Sequence, residues 1–501
     1  MSNQFKINCH SEGARSATEE SKGILRSFAN NCECRSIRPS LRTTSALILC
    51  ISFAGCTFIP AYHRPSLPVP TQFSNTAAQT SSAGTSASDI GWHEFFKDPG
   101  LQKLIALALQ NNRDYRVALL NVQQIRDQYR IVQYAYLPTF QIDGSGVRER
   151  ELATSNKYID LRNYNASVNT SYEVDLFGNI RSLKAQVIEQ YLATEEASRA
   201  AQITLVAEVA TQYLTGRALD EQLELLQQTL KSVEAYSGLI DKSYQLGNST
   251  VLDLRLAQTQ VQSAKVAIAN YQREQAQAQN ALVLLVGQPI PPGLSGPAPL
   301  ESQGLIVDLP VGLSSDLIER RPDILEAEHQ LKAANANIGA VRAAFFPTLT
   351  LTASDGTASV KLAKLFTSGT QVWNFSPQIT LPLFNQSTNF ANLNAAEVGK
   401  NIQIAQYEKA IQVAFREVSD ALAARDTFNE QIKAQRDLVK AQQERYNLSA
   451  ARYQNGIDNY LTLLLAQQDL YNAQENLIQV STDRLTNLIS LYKALGGGWS
   501  S

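Results

Sequence analysis

Between Val168 and Leu176 the chain alternates. Val168, Thr170, Tyr172, Val174 and Leu176 fall on one side, and Asn169, Ser171, Glu173 and Asp175 on the other. The pattern returns where Trp373, Phe375, Ile379 and Leu381 alternate with Asn374, Ser376, Gln378 and Thr380, and where Leu349 and Leu351 alternate with Thr348 and Thr350. A period of two predicts strands with one apolar and one polar face. Such strands suit a transmembrane barrel, apolar outward and polar inward, and equally the half-buried sheet of a soluble protein. Beyond each strand pair the period changes. Asn179 to Ser243 and Phe390 to Arg452 contain no proline and little glycine, and apolar positions such as Leu223, Leu226, Leu230 and Val233 recur at three and four, the interval of a coiled-coil seam. About 65 residues at 1.5 Å each make a rod of roughly 97 Å, far longer than the ~12 residues of an average helix. Interleaved Ala, Gln, Glu and Ser imply a second, wetted face. Rods of this kind wall a water-filled tube or form a solid coiled coil, and the strands favour the tube.

The whole pattern occurs twice. YQLGNSTVLDLRLAQ (Tyr244 to Gln258) returns 209 residues later as YQNGIDNYLTLLLAQ (Tyr453 to Gln467), and LPTFQIDGSG matches FPTLTLTASDG at the same offset, with Pro138 and Pro347 in register. VDLFGNIRSLKAQ matches LPLFNQSTNFANLNA with a two-residue slip. Each copy reads helix, strand, strand, long helix, tight turn, long helix. The expected layout is a leader (1–55), an extended tether (56–90), a first repeat (91–287), a Pro/Gly-rich connector (288–313), a second repeat (314–498) and a short tail (499–501). The density of Pro and Gly in Gln288 to Leu300 opposes both helix and sheet pairing. At the two tight turns Gly247 and Gly456 supply the left-handed residue that ends one helix. Ser249 or Thr250, and Asp458 or Asn459, suit the N-cap of the next. Four strands cannot close a barrel, because the smallest single-chain barrel has about eight and an open edge cannot sit in lipid. Several chains must therefore share one.

Charge excludes one class of partner: 46 acidic and 44 basic residues are interspersed, leaving no basic stripe for nucleic acid. All five cysteines (Cys9, Cys32, Cys34, Cys50, Cys56) lie in the first 56 residues, so nothing downstream can form a disulfide, a thiolate metal site or a cysteine nucleophile. Arg35, Arg38 and Arg42 precede the short apolar run SALILCISFAG, which fits a signal-peptide core. The run ends in FAGC, which resembles the lipobox of bacterial lipoproteins, although Phe53 stands in place of the usual Leu. The resemblance makes Cys56 the acylated first residue of the mature chain, and Thr57, in place of Asp, implies the outer membrane. The acidic stretch before the arginines fits no export signal and points to a translation start called too far upstream. A metal site formed by Cys9, His10, Cys32 and Cys34 is the lesser alternative.

ERRPDILEAEHQLKAANANIGAVRAAFFPTLTLTA (Glu319 to Ala353), SYEVDLFGNIRS, LPLF, YQNGIDNYLTLL and LYKALGGGW together resemble the outer-membrane factor family, the TolC/OprM-like, NodT-type efflux lipoproteins, from about Cys56 to Trp499. The resemblance implies an α+β membrane protein: a homotrimer whose twelve strands, four per protomer, form a β-barrel continued by a long α-helical barrel, with a belt to which Trp92 to Leu109 and the connector contribute. It also implies a passive exit duct for drugs and other small molecules. Its partners would be a periplasmic adaptor, an inner-membrane pump of the proton-driven type and outer-membrane lipid, with no cofactor, no metal and no enzyme activity. A duct for polypeptide secretion is the alternative, and a pore-free coiled-coil lipoprotein a third.

In this frame the two turns are the periplasmic tips. Asp253 is either a capping residue or part of the closed entrance, and Asp458 is a second acidic candidate there. Family members commonly read YLTLLDAQ where this chain reads YLTLLLAQ, so Leu465 replaces an acidic ring. Leu461 and Leu465, four apart, share a helix face and are candidates for an apolar constriction, with Leu463 about 160° away. The alternative is that Leu465 packs between helices. His63, His93 and His329 lie outside any metal-ligand spacing, His329 reading as a plain surface residue and Glu195/Glu196 as a solvated face.

Overall fold

The computed structural model describes residues 57–70, 73, 89–152, 158–291, 300, 305, 309 and 320–499. The leader, all five cysteines including Cys56, and most of the connector lie outside the described residues.

Two short helices, α1 (Trp92–Phe95) and α2 (Pro99–Asn111), lead into α3 (Arg113–Tyr134), β1 (Thr139–Leu152), β2 (Tyr158–Val174), α4 (Asn179–Gln245) and α5 (Val251–Val286). The second copy runs α6 (Pro322–Ala343), β3 (Thr348–Ser359), β4 (Gln371–Thr380), α7 (Gln386–Gln454) and α8 (Tyr460–Ala494). The 209-residue offset holds to the residue at both ends of α3 and α6, at the last residues of α4 and α7, and at the first residues of α5 and α8. The chain divides into two compact units, and each draws on both repeats.

The first unit holds the sheet, ordered β1-β2-β3-β4 and antiparallel throughout. Its register places Phe140, Ile142, Val168, Tyr172, Val174, Leu349, Leu351, Phe375 and Ile379 on one face, and Gln141, Asn169, Ser171, Thr350, Thr352, Ser354, Asn374 and Gln378 on the other. The apolar face is open: Phe140, Ile142, Trp373 and Ile379 are all strongly exposed. Among the described residues β1 and β4 each pair on one side only. Leu176 and Leu381, expected in strands, lie just past them. Asp175 instead accepts bonds from Ile180 N and Arg181 N, turning the chain into α4, and Pro382 cannot continue a ladder.

The second unit is helical around one large core. α2 is capped by Asp98, whose carboxylate accepts from Gly100 N at 2.7 Å and from the Tyr213 hydroxyl at 2.7 Å. Its Leu101, Leu104, Ile105 and Ala108 are buried against Val209, Leu214, Ile411 and Ile489. Phe95 stacks on Tyr492 at 4.0 Å. Leu300 and Leu309 of the connector join this core, and Leu305 forms an isolated bridge with Phe96, a pairing in a stretch whose composition opposed any.

Candidate gate at the helical-hairpin tips

Both tips close in the same way. Gly247 and Gly456 have φ of 77° and 71°. Asn248 N donates to Ser243 O and Gly247 N to Tyr244 O, and Ile457 N and Gly456 N repeat the pair to Arg452 O and Tyr453 O, a Schellman arrangement that satisfies the last helical carbonyls.

The helices that leave the turns are capped differently. At the first tip Thr250 is the N-cap, with Thr250 Oγ1 accepting from Asp253 N at 3.1 Å and Asp253 Oδ2 accepting from Thr250 N at 3.3 Å. This is a capping box with Asp in place of Glu. At the second, Asn459 takes the N-cap role and accepts from Thr462 N at 3.1 Å. Asp458, the other N-cap candidate, turns back and accepts two bonds from Arg452, at 2.7 and 2.9 Å. That guanidinium holds the Asp458 carboxyl below the usual carboxylate range.

Between the tips lies a small core of Ile240, Leu254, Ala257, Tyr460, Leu463 and Leu464, flanked by Tyr236, Tyr446 and Tyr453. Burial pushes the Tyr460 phenol up to about 12, and its buried hydroxyl has no hydrogen-bond partner among the described residues. Gln467 donates to Ser232 Oγ at 3.2 Å, and Ser232 meets the Tyr446 hydroxyl at 3.3 Å, so α8, α4 and α7 are linked by one polar chain.

Leu463 is fully buried, whereas Leu461 and Leu465 are 45 % and 46 % exposed. The two exposed leucines share a face, and Leu463 is not a neutral comparison for them because its removal empties the tip core. The 209-residue offset, applied residue by residue, also identifies a pair that the sequence reading missed: Leu252 and Leu256 occupy the equivalent places on α5. Leu252 is exposed and Leu256 half-buried against the tip core.

Two other sequence expectations change. His329 is not a plain surface residue, for its Nδ1 lies 2.6 Å from Glu189 Oε2 and its side chain is mostly covered. Glu195 and Glu196 do not form a freely solvated face. Both grip Arg199, and Glu196 is buried, which raises its carboxyl. No group of three or more metal-ligating side chains occurs among the described residues, nor does any helix long and apolar enough to cross a membrane.

The sequence profile described as outer membrane efflux protein matches residues 104–288 and again 313–497, the same 209-residue offset. The chain belongs to the outer membrane efflux protein family. The toluene efflux pump outer membrane protein TtgC of Pseudomonas putida is 46 % identical over 466 residues, covering 91 % of this chain and 96 % of TtgC. The antibiotic efflux pump outer membrane protein ArpC, also of Pseudomonas putida, matches to the same extent. Among solved structures, the open state of the MtrE outer membrane channel of Neisseria gonorrhoeae superposes with a TM-score of 0.81 at 41 % identity, covering 89 % of this chain and 99 % of MtrE. As a member of this efflux family the chain is an outer-membrane channel component of a tripartite pump, with a periplasmic extension, and not an enzyme. Channels of the family are trimers that act with a periplasmic adaptor and an inner-membrane transporter.

Proposed function

We propose that this efflux channel is a homotrimer anchored by lipid at Cys56, that it passively passes drugs and other small apolar molecules delivered by a proton-driven inner-membrane pump, and that its periplasmic mouth is closed by leucine rings. The relatives named for toluene and antibiotic efflux support that substrate class. Selection belongs upstream, because the sheet's lumen face is generic Asn, Gln, Ser and Thr.

The observation that carries the gate is the half exposure of Leu461 and Leu465 beside a tip core that is otherwise closed. Three copies converging on an axis would stack two leucine rings, a constriction that blocks ions by dewetting. Asp253 and Asp458 are already engaged, in a capping box and an ion pair, so charge at the rim stabilises the turns and the leucines close the hole. Planar-bilayer recording tests this. Leu461→Ser combined with Leu465→Ser should raise single-channel conductance, while Leu284→Ser, an exposed leucine at the other end of α5, should not. Equal conductance in wild type and double variant, with trimers intact, would place the closure elsewhere.

A further inference from the structure

The outward face of the sheet changes character toward the β1–β2 hairpin. Counting along β2, the row of Val168, Ile142, Asp355 and Trp373 is followed by Ala166 with Gly144, then Tyr164 with Gly146, and then by Arg162 directly opposite Arg148 and Asp160 opposite Arg150. Arg148, Arg150, Arg162 and Asp160 share the face that carries Val168 and Ile142. Glu149 and Glu151 point to the lumen side. The hairpin is therefore basic outside and acidic inside.

Like charges directly opposite on one face are destabilising, and Arg148 faces Arg162 with only one carboxylate nearby. Asp160 stands 4.0 Å from Arg148 and 3.8 Å from Arg150, too far for hydrogen bonds. All four side chains are exposed, and Arg150 lies over the Tyr158 ring at 5.3 Å. The neighbouring β3–β4 connection adds Lys361 and Lys364, with no carboxylate between Val360 and Thr370, beside strongly exposed Leu362 and Phe366. The two hairpins thus present a net positive collar next to apolar side chains.

Height selects the partner. The outward residues of β2 from Val174 to Tyr164 cover about 33 Å of strand, roughly 25 Å in height at a barrel tilt near 40°, which is the whole apolar band, so Arg162 with Arg148 stands about 5 Å above the band and Arg150, opposite Asp160, about 10 Å above it. The headgroup zone of a phospholipid leaflet is only about 5–8 Å deep. Phosphates carried on a sugar headgroup reach higher. We propose that Arg148, Arg150 and Arg162 bind phosphate groups of a phosphorylated outer-leaflet glycolipid, their planar guanidinium forks donating bidentately to phosphate oxygens and the anion relieving the Arg148/Arg162 repulsion.

The probe is purified rough lipopolysaccharide, titrated onto the detergent-solubilised trimer and read by native mass spectrometry. Wild type should bind it at least tenfold more tightly than it binds the same glycolipid after chemical dephosphorylation, or phosphatidylglycerol, and millimolar inorganic phosphate should not displace it. The triple variant Arg148→Gln, Arg150→Gln, Arg162→Gln should lose at least tenfold in affinity, whereas Glu149→Gln with Glu151→Gln on the lumen side should lose none. Should the triple variant fail to form trimers, Arg162→Gln alone is read instead, with a loss of at least threefold expected. Equal binding by wild type and arginine variant, or equal binding of the dephosphorylated glycolipid, would overturn the assignment.

Discussion

Glu328 offers the sharpest test of how the N-terminal segment is held. Its carboxylate is almost completely covered and accepts from the Tyr62 hydroxyl at 3.2 Å and from Arg64 Nε and Nη2 at 3.1 and 2.8 Å, with Lys332 Nζ at 3.3 Å. Glu328→Gln keeps the shape, removes the charge and turns an amide NH2 toward donors. Hydrogen bonds to charged groups contribute about 1.5–3 kcal/mol each, and breaking a buried pair costs about 3–5 kcal/mol. Arg64, however, is 46 % exposed and rehydrates, so the loss falls to about 2–3 kcal/mol. At 1.4 kcal/mol per tenfold, the segment around Tyr62 should open roughly 30 to 140 times more often. Chymotrypsin cleavage after Tyr62 in the folded protein reads this population directly when reclosing outpaces cleavage. An unchanged cleavage rate in Glu328→Gln would refute the reasoning.

The same cluster sets a pH dependence. Burial alone would push the Glu328 carboxyl up, but the hydrogen bond from Arg64 and the charges of Lys332 and Arg64 outweigh it, and the group sits below its ordinary value. A depressed carboxylate stabilises above the pKa of a free glutamate, about 4.3, and that stability is lost as pH falls through the lower folded value. Hydrogen-exchange protection near Tyr62, corrected for the intrinsic effect of pH, should therefore drop in strong acid for wild type and stay low and flat for Glu328→Gln.

Arg321→Ala should lower the melting temperature through a loss of about 2–3 kcal/mol, because Arg321 is buried and its removal takes the donor from the Ala494 carbonyl, while the partly exposed Glu417 carboxylate rehydrates; calorimetry of the trimer checks it. Thr250→Ala and Asn459→Ala should each cost about 1 kcal/mol, seen as faster exchange confined to the first turn of α5 or α8. Cys56→Ser should abolish palmitate labelling and shift the processing site, and unchanged labelling would remove the lipid anchor from the proposal.

The repeat was legible in the sequence because its punctuation is local: Pro138 and Pro347, Gly247 and Gly456, and the cap residues each act within a few positions. Strand pairs were legible only where one face meets lipid. Alternation located Val168 to Val174, but β1 to Leu152 and β2 from Tyr158 carry charged side chains in both registers, Arg148, Arg150, Arg162 and Asp160 in one and Glu149 and Glu151 in the other, and no apolar–polar period marks them. Contacts between distant residues left no local trace. His329 meets Glu189 140 positions away, and Arg321 joins the ERRPD stretch to the LYKAL stretch through Ala494 O, 173 positions on. The Arg452–Asp458 pair was hidden for another reason. Only the Schellman turn brings residues six apart together, and an Arg three places before the turn glycine's cap with an Asp just after it was the available signal.

The 209-residue offset also shows why the two tips are not interchangeable. Arg255 on α5 corresponds to Leu464 on α8, and the first is exposed while the second is buried against Ile240 and Leu254. Of its first eight residues α8 buries Tyr460, Leu463, Leu464, Ala466 and Gln467, and α5 buries only Leu254 and Ala257. Arginine in place of leucine, with exposed Val251 where Tyr460 is buried, gives α5 a side that must stay wet where α8 can be surrounded. The start of α8 is thus the element around which the protomer's tip is built, and any opening that displaced it would expose the whole core. The start of α5 keeps Arg255, Thr259, Gln262 and Val266 along an open groove. That face can change partners without unmaking the tip, so an opening that parts the Leu461 and Leu465 rings should move the tip core as one body and leave the seat of Leu463 intact.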